Sequence, residues 1–140
     1  RDSVVNMESM FSSCLKLTSI DLSHINTENV VKMKDMFSNC FSFTSIDLSQ
    51  FDTSKVTDMS YMFSFCSKLT SINLSTFRTN NVENMNSMFK SCYSLTCIDI
   101  KNFDTTKVKN TESMFEKCIG LKELDITNFI LFFIFKAFTK

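Results

Sequence analysis

Apolar residues recur along this chain in two different rhythms. In Leu69-Thr-Ser-Ile72-Asn-Leu74-Ser-Thr-Phe77 they take positions one, four, six and nine. Ile72 and Leu74 alternate with polar neighbours, which predicts a short strand with those two on one side and Ser71, Asn73 and Ser75 on the other. The preceding stretch behaves differently. Val56, Met59, Met62, Phe63 and Cys66 are three, three, one and three residues apart, the spacing of a helical stripe. Thr53 stands before that stripe at an N-cap position, with Thr27, Thr79 and Thr105 as counterparts. Each unit is thus predicted to run strand, turn, short helix, turn.

The same unit returns every 26 residues. Phe11, Phe37, Phe63, Phe89 and Phe115 form one ladder, and Cys14, Cys40, Cys66, Cys92 and Cys118 form another. All nine methionines fall into two further ladders, which begin at Met7 and Met10. A fixed period of this length means stacked equal units, not a globular domain with a carved active site. One coil cannot bury its own apolar stripes, so adjacent coils share their stability. Strands need about 4.8 Å between neighbours and helices about 10 Å, so the stack is expected to curve with its strands inside. The predicted fold is an α/β solenoid, leucine-rich-repeat-like, of five stacked 26-residue strand–helix coils with a parallel sheet on the inner face.

The Leu69-x-x-Ile72-x-Leu74 run resembles the strand segment of a leucine-rich repeat. A whole unit, from Phe43 through Phe51-Asp-Thr, Met62-Phe63 and Cys66, is similar to the 26-residue repeat of bacterial and protist surface proteins, the BspA-like leucine-rich-repeat family. The resemblance covers residues 1–129. It implies an exposed, often lipid- or wall-anchored protein that binds host proteins or other cells, at the cell surface or secreted. It brings no catalytic residues.

Charge and composition narrow the picture. The 140 residues carry no net charge, and acidic and basic residues are interspersed. The basic stripe of a nucleic-acid binder is missing, so no nucleic-acid partner is expected. With one glycine and no proline, turns must be built by Asn, Asp, Ser and Thr, whose side chains hydrogen-bond nearby backbone. The chain starts at Arg1 already in repeat register, which reads as part of a longer array. Any membrane association is expected only through an anchor outside the fragment.

No cofactor, metal site or catalytic centre is expected. The cysteine ladder lacks the close C-x₂-C pairs of zinc sites, and a buried free Cys behaves as a small hydrophobe. His24, the single histidine, takes a variable turn position whose counterparts are Gln50, Thr76, Asn102 and Asn128. No phosphate-cradling loop or nucleophile elbow is present. The candidate binding surface is the solvent side of the predicted sheet. It comprises Ser19, Asp21 and Ser23; Ser45, Asp47 and Ser49; Ser71, Asn73 and Ser75; Asp99 and Lys101 beside Cys97; and Glu123 and Asp125 beside Thr127. That stripe of carboxylates among hydroxyls suits a basic protein patch or a glycan. It is also what a sheet needs merely to be solvated and to discourage edge pairing. The expected function is a non-catalytic protein-interaction module of a cell-surface repeat protein that adheres to host proteins or other cells. An intracellular protein-binding scaffold and a structural spacer without a ligand are the alternatives.

The period fails after Phe129. Residues 130–140 form an apolar tail in which Phe129 to Phe135 are uninterrupted apolar residues, too few to span a bilayer. The run reads either as a strand covering the open end of the stack or, the reading favoured here, as an interrupted reading frame. Exposed, it would promote aggregation, so its deletion is expected to improve solubility.

Overall fold

Backbone partners in this protein lie one coil apart. The computed structural model describes residues 4–139; residues 1–3 and 140, the outermost positions of the predicted repeat region and tail, lie outside the described residues. Parallel bridges join Asn6 to Lys32, Lys32 to Asp58, Asp58 to Asn84 and Asn84 to Asn110, each a step of 26 residues. Regular secondary structure is sparse. Strands β1 (Cys97–Ile98) and β2 (Glu123–Leu124) pair in parallel, Cys97 with Glu123 and Ile98 with Leu124. Helix α1 (Leu131–Lys136) is the one α-helix among the described residues, and it lies after the repeats.

The strand–helix coil is therefore a misreading, and the α/β solenoid with a continuous inner sheet is corrected to a stack of turn-built coils. The physical reason lies in the outer segment. Met59, Tyr61, Phe63 and Phe65 donate their amides to the carbonyls of Asn84, Asn86, Met88 and Lys90 in the following coil. The amides of Met62, Ser64 and Cys66 close three-residue turns onto Met59, Tyr61 and Phe63. An α-helix would keep all of these bonds within itself. Tyr61 and Phe65 also have positive φ, 59° and 61°, and the pattern recurs at Asp35 and Asn39 and at Ser87 and Ser91. A left-handed residue at every fourth position cannot be part of an α-helix. The apolar spacing of three is real, but closed turns produce it.

The thin outer wall also sets the coil spacing. Phe11, Phe37, Phe63, Phe89 and Phe115 stack ring on ring, with centroids 5.5–5.7 Å apart. Helices side by side would need about twice that distance. Neighbouring coils are thus almost as close on the outer side as paired strands are on the inner side, and the expected driving force for curvature disappears.

Three kinds of corner replace glycine and proline. Asp58 Oδ1 accepts the Ser60 amide at 2.9 Å, and Asn84 and Asn110 do the same for Asn86 and Glu112. Asp52 and Asp104 serve the second corner through Ser54 and Thr106. The third corner lies on the inner face. The threonines predicted as helix caps are buried ties between coils. Thr27 Oγ1 donates to the Asp52 carbonyl at 3.1 Å and accepts the Asp52 amide at 2.8 Å; Thr53 and Thr79 repeat this with Arg78 and Asp104.

The core runs the length of the stack. Met33, Met59 and Met85, Val30, Val56 and Val82, and Leu69 and Leu95 are fully buried. The tail covers part of its far end as a helix, where a strand had been considered. The Ser113 amide reaches the Lys136 and Thr139 carbonyls, and the Phe115 amide reaches Ala137 at 2.7 Å. Phe138 lies 5.8 Å from Phe115, adding a tilted ring to the phenylalanine ladder.

Candidate interaction surface

The polar stripe predicted from the sequence lies on one exposed face. Ser19, Asp21, Ser23, Ser45, Asp47, Ser49, Ser71, Asn73, Ser75, Asp99, Lys101, Glu123 and Asp125 are all exposed, as are Cys97 and Thr127. The apolar residues between them, Ile46, Leu48, Ile72, Leu74, Ile98 and Ile100, point into the core.

The acidic row has a local cause. Asp21 Oδ1 accepts the amide of Ser23 at 2.9 Å, and Asp47, Asn73, Asp99 and Asp125 do the same for Ser49, Ser75, Lys101 and Thr127 at 2.9–3.1 Å. These side chains turn the backbone at the end of each short extended stretch. Only Oδ1 is needed for the turn, which explains why Asn73 stands in the row as well as an aspartate does. Sequence reasoning assigned the row to charge and missed the turn. The signal for it was an Asp or Asn two residues before a Ser, Thr or Lys in every coil.

At three positions of the row hydrogen bonding also favours the charged carboxylate. The hydroxyl and then the amide two residues on keep Asp21, Asp47 and Asp125 below their ordinary value of 3.8. Lys101 adds a smaller effect at Asp125.

Depressions between successive coils line this face. One, of about 440 Å³, is bordered by Ser71, Asn73, Ser75, Cys97, Asp99, Lys101 and Asn102 over Ile72, Leu74 and Ile98. A second, of about 400 Å³, continues it past Glu123, Leu124 and Asp125. Three carboxylates, Asp99, Glu123 and Asp125, and one ammonium group, that of Lys101, border it.

The cysteine ladder sits elsewhere, inside the stack. Cys40, Cys66, Cys92 and Cys118 point their thiols at the carbonyls of Phe11, Phe37, Phe63 and Phe89 at 3.0–3.2 Å. All six cysteines are free thiols; Cys14 and Cys118 are half-buried and Cys97 is exposed. No group of three or more His, Cys, Asp or Glu side chains among the described residues is arranged to hold a metal ion. No helix among them is long and apolar enough to cross a membrane.

The repeat places the chain among known proteins. The family described as Mycoplasma protein of unknown function, DUF285, matches residues 1–47 and 44–130. The chain belongs to this family. No curated protein matches it. Two solved structures are similar to it. A leucine-rich repeat protein from Bacteroides ovatus is 22% identical with a TM-score of 0.46, over 87% of this chain and 34% of the other. The leucine-rich repeat protein of T. pallidum is 14% identical with a TM-score of 0.35, over 86% of this chain and 72% of the other. The chain therefore spans about a third of the length of the Bacteroides protein.

Proposed function

We propose that this DUF285 chain is a non-catalytic protein-interaction module, part of a BspA-like cell-surface repeat protein, and that it contacts host proteins or other cells through its inner face. The observation that carries this reading is the pair of adjoining depressions across the third to fifth coils. Their floor is apolar, their border is polar, and the Asx corners fix that border to the backbone. A shallow, open and rigid surface of this kind suits a macromolecular partner; small molecules favour enclosed pockets. The excess of carboxylates over ammonium groups favours a basic patch on that partner. The assignment to the cell surface rests on the resemblance of the Phe43–Cys66 unit to the BspA-like repeat.

The test must separate charge from folding. Alanine at Asp99 would remove the turn along with the charge. Asparagine keeps Oδ1, as Asn73 demonstrates. The triple variant Asp99→Asn, Glu123→Gln, Asp125→Asn is expected to melt like the parent and to bind a lysine-rich probe peptide more weakly, with the parent's binding falling as salt rises. Equal affinity of parent and variant removes this face from the argument. Protease treatment of intact source cells tests location, since a surface protein is cleaved and an internal one is spared.

A further inference from the structure

One edge of the stack carries exposed aromatic rings. Residues 11–18, 37–44, 63–70, 89–96 and 115–122, equivalent stretches of the five coils, build it. Phe41 and Tyr93 hold the same place in the second and fourth coils, and each is 39% exposed. Ser67 holds that place in the third coil, where Phe65, two residues earlier, supplies the ring at 37% exposure. All three rings belong to coils with a neighbour on either side, so the ends of the chain have no part in their exposure. The edge is tied together between coils. The Ser42 hydroxyl donates to the Leu15 carbonyl at 2.6 Å and the Ser94 hydroxyl to the Ser67 carbonyl at 2.8 Å. Folding alone does not call for Phe65. Its φ is 61°, a conformation that disfavours bulky residues, and Asn39 and Ser91 take the equivalent position in the adjacent coils.

The charge of this edge is one-sided. Its five stretches contain Lys16, Lys68, Lys90, Lys117 and Lys122 but a single carboxylate, Glu116, which lies 3.8 Å from Lys90. Lys16, Lys68, Lys117 and Lys122 are exposed. The chain as a whole has no net charge, and on the inner face Asp21, Asp47, Asp99, Glu123 and Asp125 outnumber Lys101. Apolar rings flanked by ammonium groups fit a partner that is anionic at its surface and apolar beneath. The larger depressions on the molecule follow the inner face and the two ends of the stack, and none is bordered by Phe41, Phe65 or Tyr93. The rings therefore project outward. A folded protein would need a matching groove for them, whereas lipid deforms around them. A second copy laid edge to edge would set lysine against lysine.

We infer that this edge is a contact surface for an anionic lipid membrane. Phe41, Phe65 and Tyr93 enter the boundary between headgroups and acyl chains, where apolar side chains of peripheral proteins lodge. The lysines meet the lipid phosphates and carboxylates, an attraction that weakens as salt rises. The same surface repels the inner-face carboxylates, so the chain is held by its edge in one orientation. This contact needs no separate anchor, in contrast to the expectation from the sequence. It uses no residue of the inner face and is independent of that reading.

The test uses the full chain and two kinds of vesicle, pure phosphatidylcholine and phosphatidylcholine with about a third phosphatidylserine. The chain is expected to sediment with the anionic vesicles and to bind the neutral ones about tenfold or more weakly. The edge variant Phe41→Ser, Phe65→Ser, Tyr93→Ser is expected to lose about tenfold or more in binding to the anionic vesicles. If it fails to fold, Lys16→Glu with Lys68→Glu, both at exposed positions, decides in its place and is expected to weaken binding likewise. The triple inner-face variant is expected to bind no less tightly than the parent. The chain contains no tryptophan, so Tyr93→Trp reports where the contact lies, and its emission is expected to move to shorter wavelength on anionic vesicles. No sedimentation, equal binding to both vesicles, indifference to the edge variants or unshifted emission overturns the proposal. So does equal affinity for soluble poly-glutamate, which would mark an acidic protein partner, or self-association through the edge without vesicles, which would mark a second copy.

Discussion

The Cys66 thiol donates to the carbonyl of Phe37, one coil back, at 3.2 Å. The thiol is a side chain small enough for the tight wall, and the ladder repeats this contact along the stack; the Phe63 and Phe89 carbonyls accept the amides of Cys66 and Cys92 as well. Burial pushes the thiols up, to about 11 at Cys40, about 12 at Cys66 and about 11 at Cys118, with Cys92 also well above its ordinary value.

A pH dependence follows with a definite sign. The folded thiols bind their protons more tightly than unfolded ones, whose ordinary value is 9.0. Their contribution is fully present below that value and is lost as pH rises through the folded values. Chemical denaturation should therefore show a fall in stability between about pH 9 and 12 from this cause. The variant Cys66→Ala should show a shallower fall. In thiol titration of the native protein Cys97 should react at once and Cys40, Cys66 and Cys92 slowly. Equal rates for all would contradict the buried ladder.

The phenylalanine stack predicts a large core effect. Phe63 lies between Phe37 and Phe89 at 5.7 and 5.5 Å and is fully buried. Phe63→Ala should cost about 3–5 kcal/mol by equilibrium denaturation, because the wall cannot collapse around the cavity without breaking inter-coil bonds on both sides. A cost under about 1 kcal/mol would show that the ladder is decorative.

Removal of the tail should do the opposite of what its composition suggests. Read as a sequence, the apolar run looks like a solubility burden. In the fold it supplies carbonyls to Ser113 and Phe115, and its own Ala137 is fully buried. Deletion of residues 130–140 is expected to lower the melting temperature and promote association, measured by light scattering. A truncated chain that is monomeric and equally stable would rule out this covering role.

Left-handed backbone offers a stabilising change. Lys117 is exposed with φ of 61°, a conformation that costs most residues roughly 1–2 kcal/mol and asparagine less. Lys117→Asn should raise the melting temperature, while Lys109→Asn, a control at another exposed position, should not. Equal melting of Lys117→Asn and the parent would mean that the strain is relieved elsewhere.

The candidate face was legible because exposure on it follows strict alternation. Ser71, Asn73 and Ser75 face solvent while Ile72 and Leu74 are buried, and that needed only the period-two pattern. The role of Asp47 was not legible in the same way. A charged turn residue and a binding carboxylate look alike until the Ser49 amide is seen 3.0 Å from its oxygen.

The sequence by itself determined the 26-residue step, the ladders that share it and the residues that face inward, because identical side chains at equal spacing can be buried only by stacking one coil on the next. It did not determine the path of the chain between those points. Met59, Met62, Phe63 and Cys66 have helical spacing, yet their segment is a series of turns with left-handed residues at Tyr61 and Phe65. Tertiary structure decided that, because rings stacked 5.5–5.7 Å apart leave no room for helices, and the backbone amides therefore bond to the neighbouring coil instead of to their own.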